Sequence, residues 1–264
     1  MSDEQPLFPM AEPGTAAIIG HRGVAADCPE NTLCSVTEAW RQGADAVEID
    51  VHLTADGHLL SIHDANTLRT TGVDRQVSQS SLAELQQLDA GLWKSPRFTG
   101  ERLPSLEQVL ETVPPGKRLV VEVKCGAEAI APLEKLLRRQ PAAAGSLLLI
   151  SFQLEVLAAA RARLPQLAVA PVFDLKRSRD LLEEPAAISQ LVEQACQSGW
   201  AGLDFGPPEL LTGQQVAPAR QAGLDVLVWT VNDSQQAHRL TGLGVTGLTT
   251  DRPGALRQEL NSML

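Results

Sequence analysis

Eight short apolar runs recur along the chain, separated by amphipathic stretches, and this alternation limits the possible folds more than any other feature. The runs cover residues 16–20, 46–51, 118–124, 147–151, 167–172, 201–205, 225–230 and 245–249. Between most of them the apolar spacing predicts helices over 32–42, 128–139, 154–164, 185–198, 212–222 and 234–241, several of them stopped by Gly or Pro. Strand alternating with helix implies parallel pairing. Eight such units in 264 residues, close to the ~250 typical of the fold, predict a (β/α)8 TIM barrel rather than an open doubly wound sheet. No GxGxxG opens the first helix, which argues against a dinucleotide site.

One interval is too long. About 65 residues separate the second run from the third, where one helix and its loops need roughly half that number. The excess, approximately residues 63–100, reads as a small insertion after strand two, with a short strand at 58–62 and a helix at 81–88. An insertion there lands on the carboxyl-end rim, where barrels keep their chemistry. Residues 1–264 are therefore expected to form a single catalytic barrel domain, with no second core. Residues 1–14, acidic and with three prolines, are expected to be a flexible tail lacking the pattern of a signal peptide.

Charge narrows the class of partner. With 22 Lys and Arg against 32 Asp and Glu, the net charge of −10 disfavours nucleic acid or an anionic membrane as the main partner and suggests a small molecule met by local positive charge. Cys28, Cys34, Cys125 and Cys196 lack zinc-pair spacing, and no stretch approaches the ~20 apolar residues of a membrane span. The expected location is cytoplasmic, without stable membrane insertion. Oligomeric state is not legible.

Candidate chemistry gathers at the strand ends. The first strand runs into Gly20-His21-Arg22-Gly23, whose glycines permit a tight turn that sets an imidazole and a guanidinium on the rim. Glu48 and Asp50 are two residues apart in the second strand and so share a face, while Val47, Ile49 and Val51 turn toward the helices. Two inward carboxylates call for a cation, either one divalent metal ion (Mg²⁺ or Ca²⁺) or a salt-bridging Arg or Lys. In the third strand Glu122 and Lys124 repeat the pattern, and His63-Asp64 follows the short strand. That much charge exceeds what structural pairing needs. Two histidines beside a metal suggest acid–base chemistry near neutral pH.

Other residues are less telling. Pro29-Glu30-Asn31-Thr32 reads as a helix start capped by Asn31 or Thr32, Cys125 as packing, and His52, His58 and His238 as bystanders. Trp229 either walls a substrate or fills the barrel. No Ser, Thr or Cys stands beside a base, so attack falls to water or to a hydroxyl of the substrate.

Taken together, Ile-Ile-Gly-His-Arg-Gly, Pro-Glu-Asn-Thr, Val-Glu-Ile-Asp-Val-His-Leu-Thr-Ala-Asp-Gly, Ile-His-Asp, Val-Glu-Val-Lys, Val-Trp-Thr-Val-Asn and Thr-Asp-Arg-Pro make nearly the whole chain resemble the glycerophosphodiester phosphodiesterases of the bacterial cytoplasmic type. The resemblance implies metal-dependent hydrolysis of glycerophosphodiesters to sn-glycerol 3-phosphate and an alcohol, in glycerophospholipid degradation. It implies Glu48, Asp50 and Glu122 as metal ligands and His21 and His63 as the acid–base pair; which of the two is the acid the sequence does not assign. Arg22 and Lys124 would hold the substrate, with Trp229 beside them. The alternatives are a barrel that binds such diesters without cleaving them, and a phospholipase D-like enzyme acting on intact lipid.

Overall fold

In the computed structural model, which describes residues 15–262, every one of the eight apolar runs is a strand. They are β1 (Ala17–His21), β2 (Ala46–Leu53) and, after the short β3 (Leu59–Ser61), β4 (Arg118–Val123), β5 (Leu147–Ser151), β6 (Ala168–Asp174), β7 (Gly202–Gly206), β8 (Asp225–Val228) and β9 (Gly247–Thr250). The helices are α1 (Leu33–Arg41), α2 (Leu68–Thr71), α3 (Leu82–Leu85), α4 (Leu106–Leu110), α5 (Ile130–Arg139), α6 (Leu154–Arg163), α7 (Asp180–Glu183), α8 (Pro185–Ser198), α9 (Gly213–Gln221), α10 (Ser234–Gly242) and α11 (Pro253–Asn261). The tail expected over 1–14 lies outside the described residues.

The parallel strands follow one another in the order β1-β9-β8-β7-β6-β5-β4-β2, and β1 pairs back to β2, which closes the (β/α)8 barrel. Only β3 among them is antiparallel, lying against the end of β2. Side-chain alternation sorts each strand between two cores. Ile19, Ala46, Val120, Leu148, Ala170, Val172 and Leu227 fill the barrel interior. Their neighbours Ile18, Val47, Ile49, Val121, Leu149 and Val226 pack outward against the helices. α1 begins where the Thr32 hydroxyl accepts from Ser35 N, and α5 buries Ile130, Leu133, Leu136 and Leu137 at helical spacing.

The long interval carries α2, α3 and α4, and the chain returns beside β3 where Ser61 N donates to Pro104 O at 2.8 Å. Leu60, Ile62, Val77, Leu85, Ala90 and Leu103 form a small buried satellite cluster there. α3 is shorter than the helix expected over 81–88. A capping box from Ser81 and Glu84 starts it, but the Asp89 carboxylate then gathers the N–H groups of Gly91, Leu92 and Gly100 and holds the chain as a loop. Among the described residues, no helix is long and apolar enough to cross a membrane.

Candidate active site

The turn after β1 builds the first part of the site. Arg22 and Gly23 are both left-handed, with φ of 49° and 88°, and a Cβ on Gly23 would stand 2.4 Å from the carbonyl carbon of Ser35. Glycine is needed there for both reasons. The turn folds Arg22 back over the mouth, where its N–H donates to Glu48 Oε2 at 3.0 Å and Nη1 donates to Glu30 Oε1 at 2.8 Å. Its Nε lies 3.0 Å from Asp50 Oδ2 as an ion pair, without hydrogen-bond geometry.

Strand register assembles the carboxylates. β1 pairs with β2 so that His21 faces Glu48, and β2 pairs with β4 so that Asp50 faces Glu122. One oxygen from each of Glu48, Asp50 and Glu122 lies within 4.8 Å of the other two. Lys124 Nζ donates to Glu122 Oε1 at 2.8 Å and stands 3.6 Å from Asp50 Oδ1. Salt bridging, the alternative to a metal, is therefore present but incomplete. Burial and the charge of Asp50 push both Glu48 and Glu122 above the ordinary carboxylate range. Burial would also raise Asp50, but Arg22, Lys124, His63 and a hydrogen bond from Asn31 hold it below its usual value. A three-oxygen donor set still short of positive charge fits a hard divalent cation.

Both histidines are oriented by carboxylates. His21 Nδ1 is 2.7 Å from Asp251 Oδ1, and His63 Nδ1 is 2.6 Å from Asp64 Oδ1. Hydrogen bonds from Arg69 hold the Asp64 carboxyl down at about 2. Burial would raise Asp251, but His21 and Asn232 keep it below its ordinary value. Ionised carboxylates only accept, so both Nδ1 atoms carry hydrogen and Nε2 is the ring nitrogen left for proton transfer.

Trp229 and Phe152 meet edge-to-face, their ring centroids 5.9 Å apart. Together with His21, Arg22, Glu48, His63, Glu122 and Lys124 they line a cavity of about 470 Å³ at the carboxyl ends of the strands. Trp229 thus stands at the cavity wall. A second cavity of about 420 Å³, beside Arg118, Trp200 and Leu224, opens at the opposite end of the barrel, away from this cluster.

All eight residues singled out from the sequence come together here. Others were missed. Thr32 alone caps α1, whereas Asn31, left-handed at φ 59°, turns inward: its Nδ2 donates to Asp50 Oδ2 at 2.9 Å and its Oδ1 accepts from Asp50 N at 3.0 Å. Glu30 bridges Arg22 to Arg69, which also grips Asp64, so the insertion is tied to the β1 turn. His52 is no bystander either, since its Nε2 lies 3.0 Å from the His63 carbonyl oxygen. Asp251 and Asn232 were overlooked as well. Their only sequence signals were the Thr-Asp-Arg-Pro and Val-Trp-Thr-Val-Asn strings, neither of which pointed to His21.

Crowded carboxylates make a stability prediction. Because the folded state holds Glu48 and Glu122 protonated to higher pH than the unfolded chain does, it binds more protons just above the ordinary carboxylate pKa, and stability falls as pH rises through that window. Glu48→Gln keeps an acceptor for Arg22 N and removes one charge. It is expected to raise the metal-free melting temperature by about 2–5 °C, corresponding to ~1–2 kcal/mol, with the gain over wild type growing from about pH 5 to pH 8. Calorimetric scans without metal at several pH values check this, and a lower melting temperature for the variant throughout would refute it.

A closed barrel with a carboxylate trio beside two carboxylate-oriented histidines has the groups of a hydrolase site that works by acid–base chemistry. Residues 21–255 match the model of the glycerophosphoryl diester phosphodiesterase family, and the chain belongs to that family. It is 31% identical over 243 residues to a glycerophosphodiester phosphodiesterase of Caldanaerobacter subterraneus subsp. tengcongensis, covering 90% of this chain and 95% of that one. It is 30% identical over 260 residues to a glycerophosphodiester phosphodiesterase of Bacillus subtilis, covering 92% and 86%. Among solved structures, an Oleispira antarctica phosphodiesterase in complex with the product sn-glycerol-3-phosphate superimposes with a TM-score of 0.81 at 31% identity, over 93% of this chain and 96% of that one.

Proposed function

We propose that this chain is a metal-dependent glycerophosphodiester phosphodiesterase that releases sn-glycerol 3-phosphate and an alcohol in glycerophospholipid degradation. The observation that carries this reading is the convergence of Glu48, Asp50 and Glu122 between the His21–Asp251 and His63–Asp64 pairs. Glu48, Asp50 and Glu122 would hold one divalent ion, Mg²⁺ or Ca²⁺. The chemistry such an ion supplies when bound is neutralisation of the diester's non-bridging oxygens. Arg22 and Lys124, already at the cluster, add positive charge where the transition state gains negative charge. One histidine removes a proton from the attacking hydroxyl through Nε2, and the other delivers one to the departing alkoxide. No Ser, Thr or Cys lines the cavity beside either histidine except Thr249, which has no base assigned to it. The glycerol 2-hydroxyl, on the carbon next to the one that bears the phosphoester, is the favoured nucleophile; its attack expels the alcohol and gives a five-membered cyclic phosphate that water then opens.

The whole chain is read as one catalytic barrel domain, with the insertion supplying Asp64 and Arg69 to the site. A cytoplasmic location rests on the four unpaired cysteines, and a small-molecule partner on the cavity and the net charge of −10.

Incubation with glycerophosphocholine, glycerophosphoethanolamine, glycerophosphoglycerol and glycerophosphoinositol, each followed by assay of sn-glycerol 3-phosphate, tests the reading. At least one should yield that product in the presence of Mg²⁺ or Ca²⁺. Binding of all four without turnover would support the non-catalytic alternative, and cleavage of intact phospholipid alone would support the phospholipase D-like one.

A further inference from the structure

Asp204 is a buried acid that the proposed chemistry does not use. It sits on β7 in register with Val172 on one side and Leu227 on the other, both interior residues, so its carboxyl points into the barrel and reaches the floor of the catalytic cavity. The residue is 2% exposed, and its Oδ1 has no hydrogen-bond partner. Burial, and then the charge of Glu122, push the carboxyl well above the ordinary range, and its free oxygen offers an acceptor to a hydroxyl in the cavity. A second buried polar atom on the same cavity is also unpartnered, the indole Nε1 of Trp229.

The two are neighbours. Trp229 follows Leu227 by two residues on β8's continuation, and its ring lies over Gly206, two residues beyond Asp204: a Cβ on Gly206 would stand 2.6 Å from the indole Cε2. Gly206 is thus the space into which the indole fits. A hydroxyl matches the pair chemically, since it accepts from an N–H while donating to a carboxyl oxygen.

We propose that Asp204 and Trp229 form a subsite for one hydroxyl of the substrate, the terminal hydroxyl of its glycerol half. The choice of half rests on enclosure and on the functional reading above. Ile150, Asp204 and Thr249 form a buried floor, whereas Phe152 and Arg177 stand at the exposed rim. The small, constant glycerol suits the floor, and the variable alcohol suits the rim. Asp204 would select substrates with a free hydroxyl at that carbon.

The test is calorimetric binding of sn-glycerol 3-phosphate and of its 1-deoxy analogue, a propane-1,2-diol phosphate, with Mg²⁺ present, alongside turnover of glycerophosphocholine. Wild-type protein is expected to bind the deoxy compound about 10- to 100-fold more weakly, because two buried polar groups stay unpaired. Asp204→Leu, which keeps the branched four-atom side-chain skeleton without its polar atoms, should reduce that ratio to below about threefold, while Asp204→Asn, which still offers both a donor and an acceptor, should retain most of it. Equal binding of the two compounds by wild type, or an unchanged ratio in a folded Asp204→Leu protein, overturns the subsite. Discrimination without turnover of any glycerophosphodiester would support the subsite and sink the functional reading, and turnover without discrimination would do the reverse.

Discussion

His63→Ala is expected to lower kcat by roughly 10²–10⁴-fold, and His21→Ala by a similar factor, with little change in substrate binding. Each imidazole has Nδ1 committed to a carboxylate, at 2.6 Å for His63 and 2.7 Å for His21, so alanine removes the one ring nitrogen available to move a proton. The double variant should be scarcely slower than the worse single one, because removing either partner already breaks the relay. Steady-state kinetics on the best substrate of the panel measure all three. If either single variant keeps a near wild-type kcat, that histidine is not the acid or the base.

Asp50→Asn is expected to cost about 10³-fold or more in kcat/KM. Asp50 is 1% exposed at the centre of the cluster, in contact with Arg22, Lys124 and Asn31 and in register with Glu122. Asn31→Ala, which leaves the carboxylate in place but frees its orientation, should cost less, about 10- to 100-fold in metal affinity. Metal titration by calorimetry together with kinetics separates the two effects. Equal losses for the two variants would mean that Asn31 acts as more than an orienting group.

The sequence revealed the barrel because each strand is an apolar run bounded by polar turns, and the insertion because its length exceeded what one helix requires. It also revealed Glu48, Asp50 and Glu122, since alternation within a strand shows which side chains share a face. The orienting residues were hidden for a physical reason: their partners are set by closure of the barrel and not by local spacing. Asp251 meets His21 across 230 positions because β9 pairs with β1. Asn31 and Thr32 are both good capping residues, and only the left-handed backbone at Asn31 sends one outward to the helix and the other inward to Asp50. Asp204 gave no signal in the sequence, because a lone acid in an apolar run reads the same whether it is paired, exposed or buried and free.

Release of sn-glycerol 3-phosphate is proposed to require a divalent cation held by Glu48, Asp50 and Glu122. The most direct measurement strips the protein with chelator, removes the chelator, and assays sn-glycerol 3-phosphate from the preferred glycerophosphodiester before and after adding back Mg²⁺ or Ca²⁺. Turnover should vanish on stripping and return with at least one of the two ions in wild type, but not return in Asp50→Asn. Undiminished release of sn-glycerol 3-phosphate by thoroughly stripped protein would contradict metal dependence.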